Sequence, residues 1–411
     1  MLWVLVALAM LLVPFIFMRP AVDVFRTPKD VVFETLALAM FAVLCVAPAV
    51  SAGGIRTAEA AVPTLAVLWT GVVCVLSLQR DVSFFKPLYV FCLAVFFVAA
   101  LITTRARGVS ALVLAIAPAL VNAIVAFLQS TGSERFLITK DAVARRLWTS
   151  GFIGNPNELG GYFVLPLLAS IAAAIAWPRL RIAFIASALV LAGGVIAAQS
   201  VTPVIATGAG VAAMMLLPRA RTMRWIAIAG LVLLVAAVSF HSGARARMSA
   251  LITAARTGQA VELTSYRLPA WAVALDMFRE RPLVGVGPGV FASRFMSYKI
   301  DLDVEHPSWI RIGWQNFGEA HNDHLQLLAE AGLPAYLLFL ASLFLIGRVS
   351  FAHREETTER ETFAHAFAFP AAAAFGVLAL AHFPMHLTST MVPALFLAAL
   401  CFSWTEHDES A

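Results

Sequence analysis

Ionisable side chains are sparse in this sequence, so the places where they gather are the first clue to chemistry. His321-Asn322-Asp323-His324 opens a run that continues through Leu325, Gln326 and Glu330 into a long apolar stretch. His321 and His324 stand at i, i+3, and Asp323, Gln326 and Glu330 share another helical face. Polar groups leading into an apolar segment are costly and mark a functional cavity. An imidazole with an ordinary pKa of about 6.5 suits proton abstraction from a hydroxyl at neutral pH, which makes His321 the candidate general base. His324 reads more simply as a structural neighbour. Arg267 lies one turn before Trp271, in line with an apolar stripe of Trp271, Ala274, Leu275 and Phe278. A guanidinium on that seam needs an anion or a partner. A second arginine pair, Arg145 and Arg146, precedes Gly151-Phe152-Ile153-Gly154-Asn155-Pro156-Asn157. Either could equally snorkel to a headgroup layer.

Other groups compete for the same roles. His382 and His386, at i, i+4 near the outer end of a late helix, are rival bases. Asp301, Asp303 and Glu305 alternate before His306, and in an extended segment they would share one face that could hold a hard cation. A solvated acidic turn is the preferred reading, and no metal is expected. His321 with His324 lacks the spacing and third ligand of a zinc site. Gly285-Val286-Gly287-Pro288-Gly289 reads as a tight turn returning the chain to an apolar layer. No strand-then-helix context supports a phosphate cradle there.

The elements that must position these residues are helices in lipid. The 411 residues are 61% hydrophobic and 13% charged, with a formal charge of +5 and a mean hydropathy of +0.86. Charge that sparse does not cover a water-facing surface, and the modest positive balance gives no case for nucleic acid. Backbone groups must pair internally in a bilayer, and continuous apolar runs favour helices over a barrel. The expected fold is an all-α, polytopic membrane protein with about twelve transmembrane helices of roughly 20 residues.

The spans are expected near Leu2–Met18, Val31–Ser51, Ala60–Leu78, Pro87–Thr103, Val109–Gln129 and Leu159–Trp177. They continue at Ile182–Ala198, Val201–Leu217, Trp225–Phe240, Leu325–Gly347, His365–His386 and Met391–Trp404. The first run lacks a basic leader and a cleavage site, so it reads as a retained helix. The four cysteines all lie in apolar runs, and no disulfide framework is expected. Alternate connectors carry Arg105–Arg107, Arg179–Arg181, Arg219–Arg224 and Arg348–Arg360, which puts that side and both termini in the cytoplasm. Arg19, Arg26 and Lys29 argue weakly the other way. The chain then divides into residues 1–240, nine membrane helices with an external loop near 130–158. Residues 241–322 form a large periplasmic loop, and residues 323–411 form the last three helices. Thr264 and Ser265 are candidate caps for an amphipathic helix in that loop, with Pro269 in its first turn.

Several of these motifs occur in a recognisable order. Arg267 with Trp271, then Pro282-Leu283-Val284-Gly285-Val286-Gly287, then His321-Asn322 with Leu325, Glu330 and Gly332, resembles the signature of the O-antigen ligase and polysaccharide polymerase (Wzy-like) superfamily. Gly151–Gly160 resembles that family's short motif opening a middle helix. Pro334-Ala335 departs from the pattern and is expected to bend the helix below the site.

The resemblance implies a GT-C-like, inverting, metal-independent glycosyltransferase without cofactor in the bacterial inner membrane, its site facing the periplasm. The implied donor is an undecaprenyl-diphosphate-linked glycan. Nucleotide sugars are made in the cytoplasm, so an outward site needs a donor already carried across on lipid. The acceptor is a lipid A-core hydroxyl for a ligase, or another lipid-linked repeat for a polymerase. The roles carried over are His321 as base, Arg267 and Arg146 as catalytic arginines, and Arg145, Asn155, Asn157, Asn322 and His324 as substrate contacts. Transfer to protein and non-enzymatic transport remain as alternatives. Transport would place ionisable or broken-helix sites near the bilayer midplane, whereas most polar groups here lie at the outer end.

Overall fold

The computed structural model describes residues 1–21, 23–46, 57–133, 149–217, 242–309, 317–352 and 358–405. The described residues form helices and no strand. The first six are α1 (Leu2–Leu12), α2 (Arg26–Val46), α3 (Thr57–Val75), the short α4 (Arg80–Ser83), α5 (Lys86–Thr104) and α6 (Val109–Thr131). Next come α7 (Pro156–Ala176), α8 (Arg181–Ala197) and α9 (Val201–Met215). The insertion between α9 and the last three long helices holds α10 (Ser242–Arg256), α11 (Ala260–Leu263), α12 (Leu268–Glu280) and α13 (Val290–Glu305). The chain ends with α14 (Asp323–Arg348), α15 (Glu359–Ala379) and α16 (Thr388–Ser403).

Among the described residues, six segments are long and apolar enough to cross a membrane: Arg80–Thr104, Val109–Thr131, Pro156–Ala176, Pro178–Ala197, Asp323–Phe351 and Glu359–Ala379. Shorter apolar helices at Leu2–Leu12, Ala60–Val75, Val201–Met215 and Thr388–Ser403 accompany them. The expected first span ends early, at Leu12 rather than Met18. The expected span Trp225–Phe240 lies outside the described residues. α7 is apolar all round and lies at the centre, 89% of it buried. It packs on α8, α15 and α9, while α5 packs on α16, α2 and α3.

One end of the bundle collects the basic connectors. Arg360 Nη1 donates to Arg105 O at 3.0 Å, Arg181 Nε to Ala174 O at 3.1 Å, and Trp404 Nε1 to Arg107 O at 3.0 Å. Trp177 packs there against Phe363 (tilted) and Trp404 (edge-to-face), at 5.8 and 5.9 Å between rings. Arginines with an aromatic cluster are the expected furniture of one membrane boundary. The starts of α2, α7, α14 and α16 and the end of α15 meet at the opposite end, beneath the insertion.

One expected boundary is corrected. α15 spans Glu359–Ala379, not His365–His386. Thr358 and Glu361 form a reciprocal capping box that starts the helix early. His382 and His386 therefore lie in the loop after it, and their i, i+4 helical pairing is lost. The acidic triad is corrected too: residues 301–305 belong to helix α13, so Asp301, Asp303 and Glu305 do not share the face that an extended segment would give. Asp303 instead pairs with the buried Lys299 at 2.6 Å.

α14 carries the candidate base at its start and is broken at Gly332, where φ is 73° and ψ −175°. The expected bend near Pro334 is this break. It frees backbone groups in an apolar layer, where each orphan costs about several kcal/mol. The glycine-rich turn takes them up. Val286 N donates to Ala329 O at 2.8 Å, Gly287 N to Glu330 O at 3.0 Å, and Pro282 O accepts from Leu333 N at 2.9 Å. Trp69 Nε1 donates to Ala331 O at 2.9 Å. So close an approach needs glycine on both sides. A Cβ on Gly332 would lie 2.2 Å from Leu283 O, and one on Gly285 would lie 2.4 Å from the Glu330 carbonyl carbon.

Candidate functional site

His321 sits just before α14 with a left-handed backbone, φ 53°. That region is uncommon for a side-chain-bearing residue, though histidine is enriched there. Asn322 caps the helix, its Oδ1 accepting from Leu325 N at 3.1 Å. The His321 ring lies edge-on to Phe317 and Phe383, at 6.0 and 4.8 Å. Its pKa is pushed down to about 4, first by burial and then by the Arg267 guanidinium, with Glu319 working against both. The imidazole is neutral at pH 7 and open to accept a proton.

Arg267 is the N-cap residue of α12 and donates through Nη1 to Ala381 O at 2.6 Å. Neither Thr264 nor Ser265 is the N-cap that the sequence suggested; Thr264 Oγ1 instead supports the preceding turn, accepting from Leu268 N at 3.2 Å. Ser265 plays no such role and adopts φ 54°. Arg267 thus fastens the insertion to the loop after α15, and its charge acts directly on His321.

The two rival histidines divide. His382 Nδ1 accepts from Phe383 N at 2.7 Å, which fixes the proton on Nε2, and Nε2 donates to Asn157 O at 2.9 Å. Burial holds its pKa at about 3, so it is a neutral strut with no free nitrogen. His386 is different. Its Nδ1 meets Asp323 Oδ1 at 2.9 Å, and Asp323 Oδ2 accepts from Met385 N at 2.7 Å. Asp323 is fully buried. Burial pulls the His386 pKa down, and the Asp323 hydrogen bond and charge more than reverse it, leaving it above the ordinary value. Its Nε2 lies 3.4 Å from Gln326 Nε2.

Phe383 borders the His321 imidazole. His321 packs on it, and so does Arg26, whose guanidinium carbon lies 5.4 Å from the ring centre. Arg26 Nη1 is paired with Glu319 Oε1 at 2.6 Å, and Nη2 donates to His386 O at 3.0 Å. On the Arg26 side opens a cavity of about 810 Å³, lined by His386, Gln326 and Glu330 but not by His321 or Arg267.

The remaining expected contacts fall as follows. Asn155 caps α7, accepting from Asn157 N at 2.8 Å, and Asn157 holds His382 through its carbonyl. His324 engages Gly376 O through Nε2 at 2.9 Å and Tyr336 Oη through Nδ1 at 3.3 Å. Both its nitrogens are engaged inside the bundle, which favours the structural reading of this residue. Arg145 and Arg146 lie outside the described residues. Sequence reasoning missed Arg26, Glu319 and the Asp323–His386 pair, whose partners stand far apart along the chain. It also misread Lys29, a buried lysine whose Nζ donates to Ile16 O, Phe25 O and Phe152 O. Arg26 and Lys29, which weighed against the orientation as loop charges, are both consumed by internal contacts.

Residues 185–340, from within α8 through the insertion to the middle of α14, match the family model described as O-Antigen ligase. No curated protein matches the chain.

Proposed function

We propose, from the membership of residues 185–340 in the O-antigen ligase and Wzy-like superfamily, that the chain is a ligase moving a polysaccharide from undecaprenyl diphosphate to a lipid A-core hydroxyl. The family makes it a membrane enzyme of glycan ligation or polymerisation, acting on lipid-linked glycans. The observation that carries the finer reading is His321, neutral and mostly buried, under the charge of Arg267 at the base of the external insertion.

In this reading the acceptor hydroxyl gives its proton to His321. The oxygen forms a bond to the anomeric carbon as the bond to the diphosphate oxygen breaks, and the configuration inverts. The electron pair leaves on the diphosphate. Arg267, with Arg146 or Arg145 from the other external loop, meets that growing charge and lowers the barrier by preorganised electrostatics. The basic connectors gathered at the far end of the bundle support a periplasmic site in the inner membrane.

Deletion of the gene followed by analysis of surface glycans tests the reading. Undecaprenyl-linked polymer without transfer to the lipid core is the expected result. Single repeat units on the core would replace ligase by polymerase. With purified protein and lipid-linked donor, activity is expected to survive a chelator, and strict dependence on added divalent cation would remove the metal-independent mechanism.

A further inference from the structure

A base that takes a proton from a hydroxyl becomes an imidazolium, and much of what surrounds His321 disfavours that charge. Burial comes first, the Arg267 guanidinium second, and the Arg26 guanidinium adds to them. Glu319 acts in the opposite sense. Its carboxylate stands two residues before His321, in the same short segment leading into α14. An anion beside a nascent imidazolium favours the protonated form, and so the transition state that leads to it.

That carboxylate is held in place. Arg26 Nη1 donates to Glu319 Oε1 at 2.6 Å, and both side chains are mostly buried. Arg26 is itself fixed at the start of α2, where Asp23 Oδ1 accepts from Phe25 N at 3.0 Å and from Arg26 N at 2.8 Å. Its second arm, Nη2, donates to His386 O at 3.0 Å, and its guanidinium carbon lies 5.4 Å from the centre of Phe383. Phe383 in turn meets the His321 ring at 4.8 Å. One guanidinium therefore ties α2, the segment before α14 and the loop after α15 together around the imidazole. The segment itself has little slack. Ala320 is buried and its N–H donates to Gln326 Oε1 at 2.9 Å, while Asn322 caps α14. His321 between them keeps its left-handed backbone, a conformation that persists where the surroundings enforce it.

We propose that Glu319 is a positioning residue for the base, a countercharge that steadies His321 as it takes up the acceptor's proton, and that Arg26 acts through Glu319 by aiming its carboxylate. The role rests on the transfer reaction proposed above, with His321 as base. As the acceptor O–H bond breaks and the N–H bond forms, the imidazole gains one positive charge, and the fixed carboxylate offsets it without itself taking a proton. A salt bridge serving the fold alone has no need of a carboxylate at that position; a neutral oxygen would hold Arg26 as well. The two roles therefore make opposite demands on residue 319, one for charge and the other for reach.

The test is steady-state transfer at pH 7 by the full chain in lipid nanodiscs, with purified undecaprenyl-diphosphate-linked glycan and lipid A-core. Glu319→Gln keeps an oxygen for Arg26 and removes the charge; Glu319→Asp keeps the charge and shortens the reach. For Glu319→Gln, kcat is expected to fall about tenfold or more, with both KM values changed by less than about twofold. Glu319→Asp is expected to lose less. The reverse order, with the Gln variant near wild type and the Asp variant impaired, marks a purely structural clamp and overturns the assignment. A raised KM at unchanged kcat also overturns it, because the carboxylate would then be touching a substrate. Arg26→Gln is expected to lower kcat too, and the Arg26→Gln/Glu319→Gln double variant to be no slower than the slower single one. Losses that multiply in the double variant overturn the link between the two residues. Retained transfer in His321→Ala would remove the base and the reaction proposed for it, whereas loss there beside wild-type kcat in Glu319→Gln removes the countercharge alone.

Discussion

His321→Ala separates a catalytic from a structural imidazole because two readouts change in predictable directions. The folded-state pKa of about 4 lies below the ordinary 6.5, with burial the largest cause and Arg267 the next. Between those two values the unfolded chain binds the proton and the folded chain does not. Stability therefore rises with pH across the window and is lost as pH falls from about 6.5 to about 4. At 1.36 kcal/mol per pH unit the full loss is about 3 kcal/mol, and solvent at the partly open ring edge trims it to about 2 kcal/mol. His382, held near 3 by burial against the opposing Asn157 backbone contact, adds a similar slope, but it does so in both proteins. Thermal unfolding of wild type and His321→Ala, followed in nanodiscs from pH 7.5 to 4.5, isolates the difference. The variant is expected to lose less stability on acidification, while transfer from a lipid-linked donor at pH 7 falls by about 10²–10⁴-fold, the usual contribution of a general base. Parallel acid slopes would refute the buried neutral imidazole, and retained transfer would refute the base.

Gly285→Ala forces a Cβ to 2.4 Å from the Glu330 carbonyl carbon at a backbone φ of 67°, at a cost of about 3 kcal/mol or more; sharply reduced folded yield and Tm are expected. Asp323→Asn removes the charge that holds protonated His386. A raised folded-state pKa stabilises below the unfolded value and loses that stabilisation as pH rises through the folded value. The Tm gap to wild type is therefore expected to be widest near pH 6, where it reflects about 1–3 kcal/mol, and to narrow toward pH 9. Arg267→Lys keeps the charge and loses the planar fork that reaches Ala381 O; transfer is expected to fall about 10–100-fold, with stability in thermal scans changed by about 1 kcal/mol or less.

Much of the helical frame was legible in the sequence because lipid imposes one rule on every apolar run. Val109–Gln129, Ile182–Ala198 and Leu325–Gly347 were expected within a few residues of α6, α8 and α14. The error at α15 has a local cause. Ala381, Phe383 and Met385 continue the apolar composition past the helix end, while the Thr358–Glu361 capping box, readable but overlooked, marks the true start. The motif around His321 was legible as a position, because four polar residues at a helix start are conspicuous. The partners were not. Arg26 reaches Glu319 across 293 residues, and Asp323 reaches His386 across 63. Only packing decides which of several arginines finds which carboxylate. The Asn155 and Asn322 side chains illustrate the opposite case: their motif positions were noticed, yet each spends its oxygen on a helix cap.

The break at Gly332 has a mechanical consequence. The first turns of α14 belong to a membrane helix by sequence, but their carbonyls are bound to Val286 and Gly287 of the insertion. The imidazole end is bolted to the insertion, while the longer piece below packs on α15 and α3 within the bundle, where tilt answers to bilayer thickness. Two torsions of a single residue form the joint between them. The geometry of the chemistry and the fit to the host membrane are adjusted by different halves of one rod.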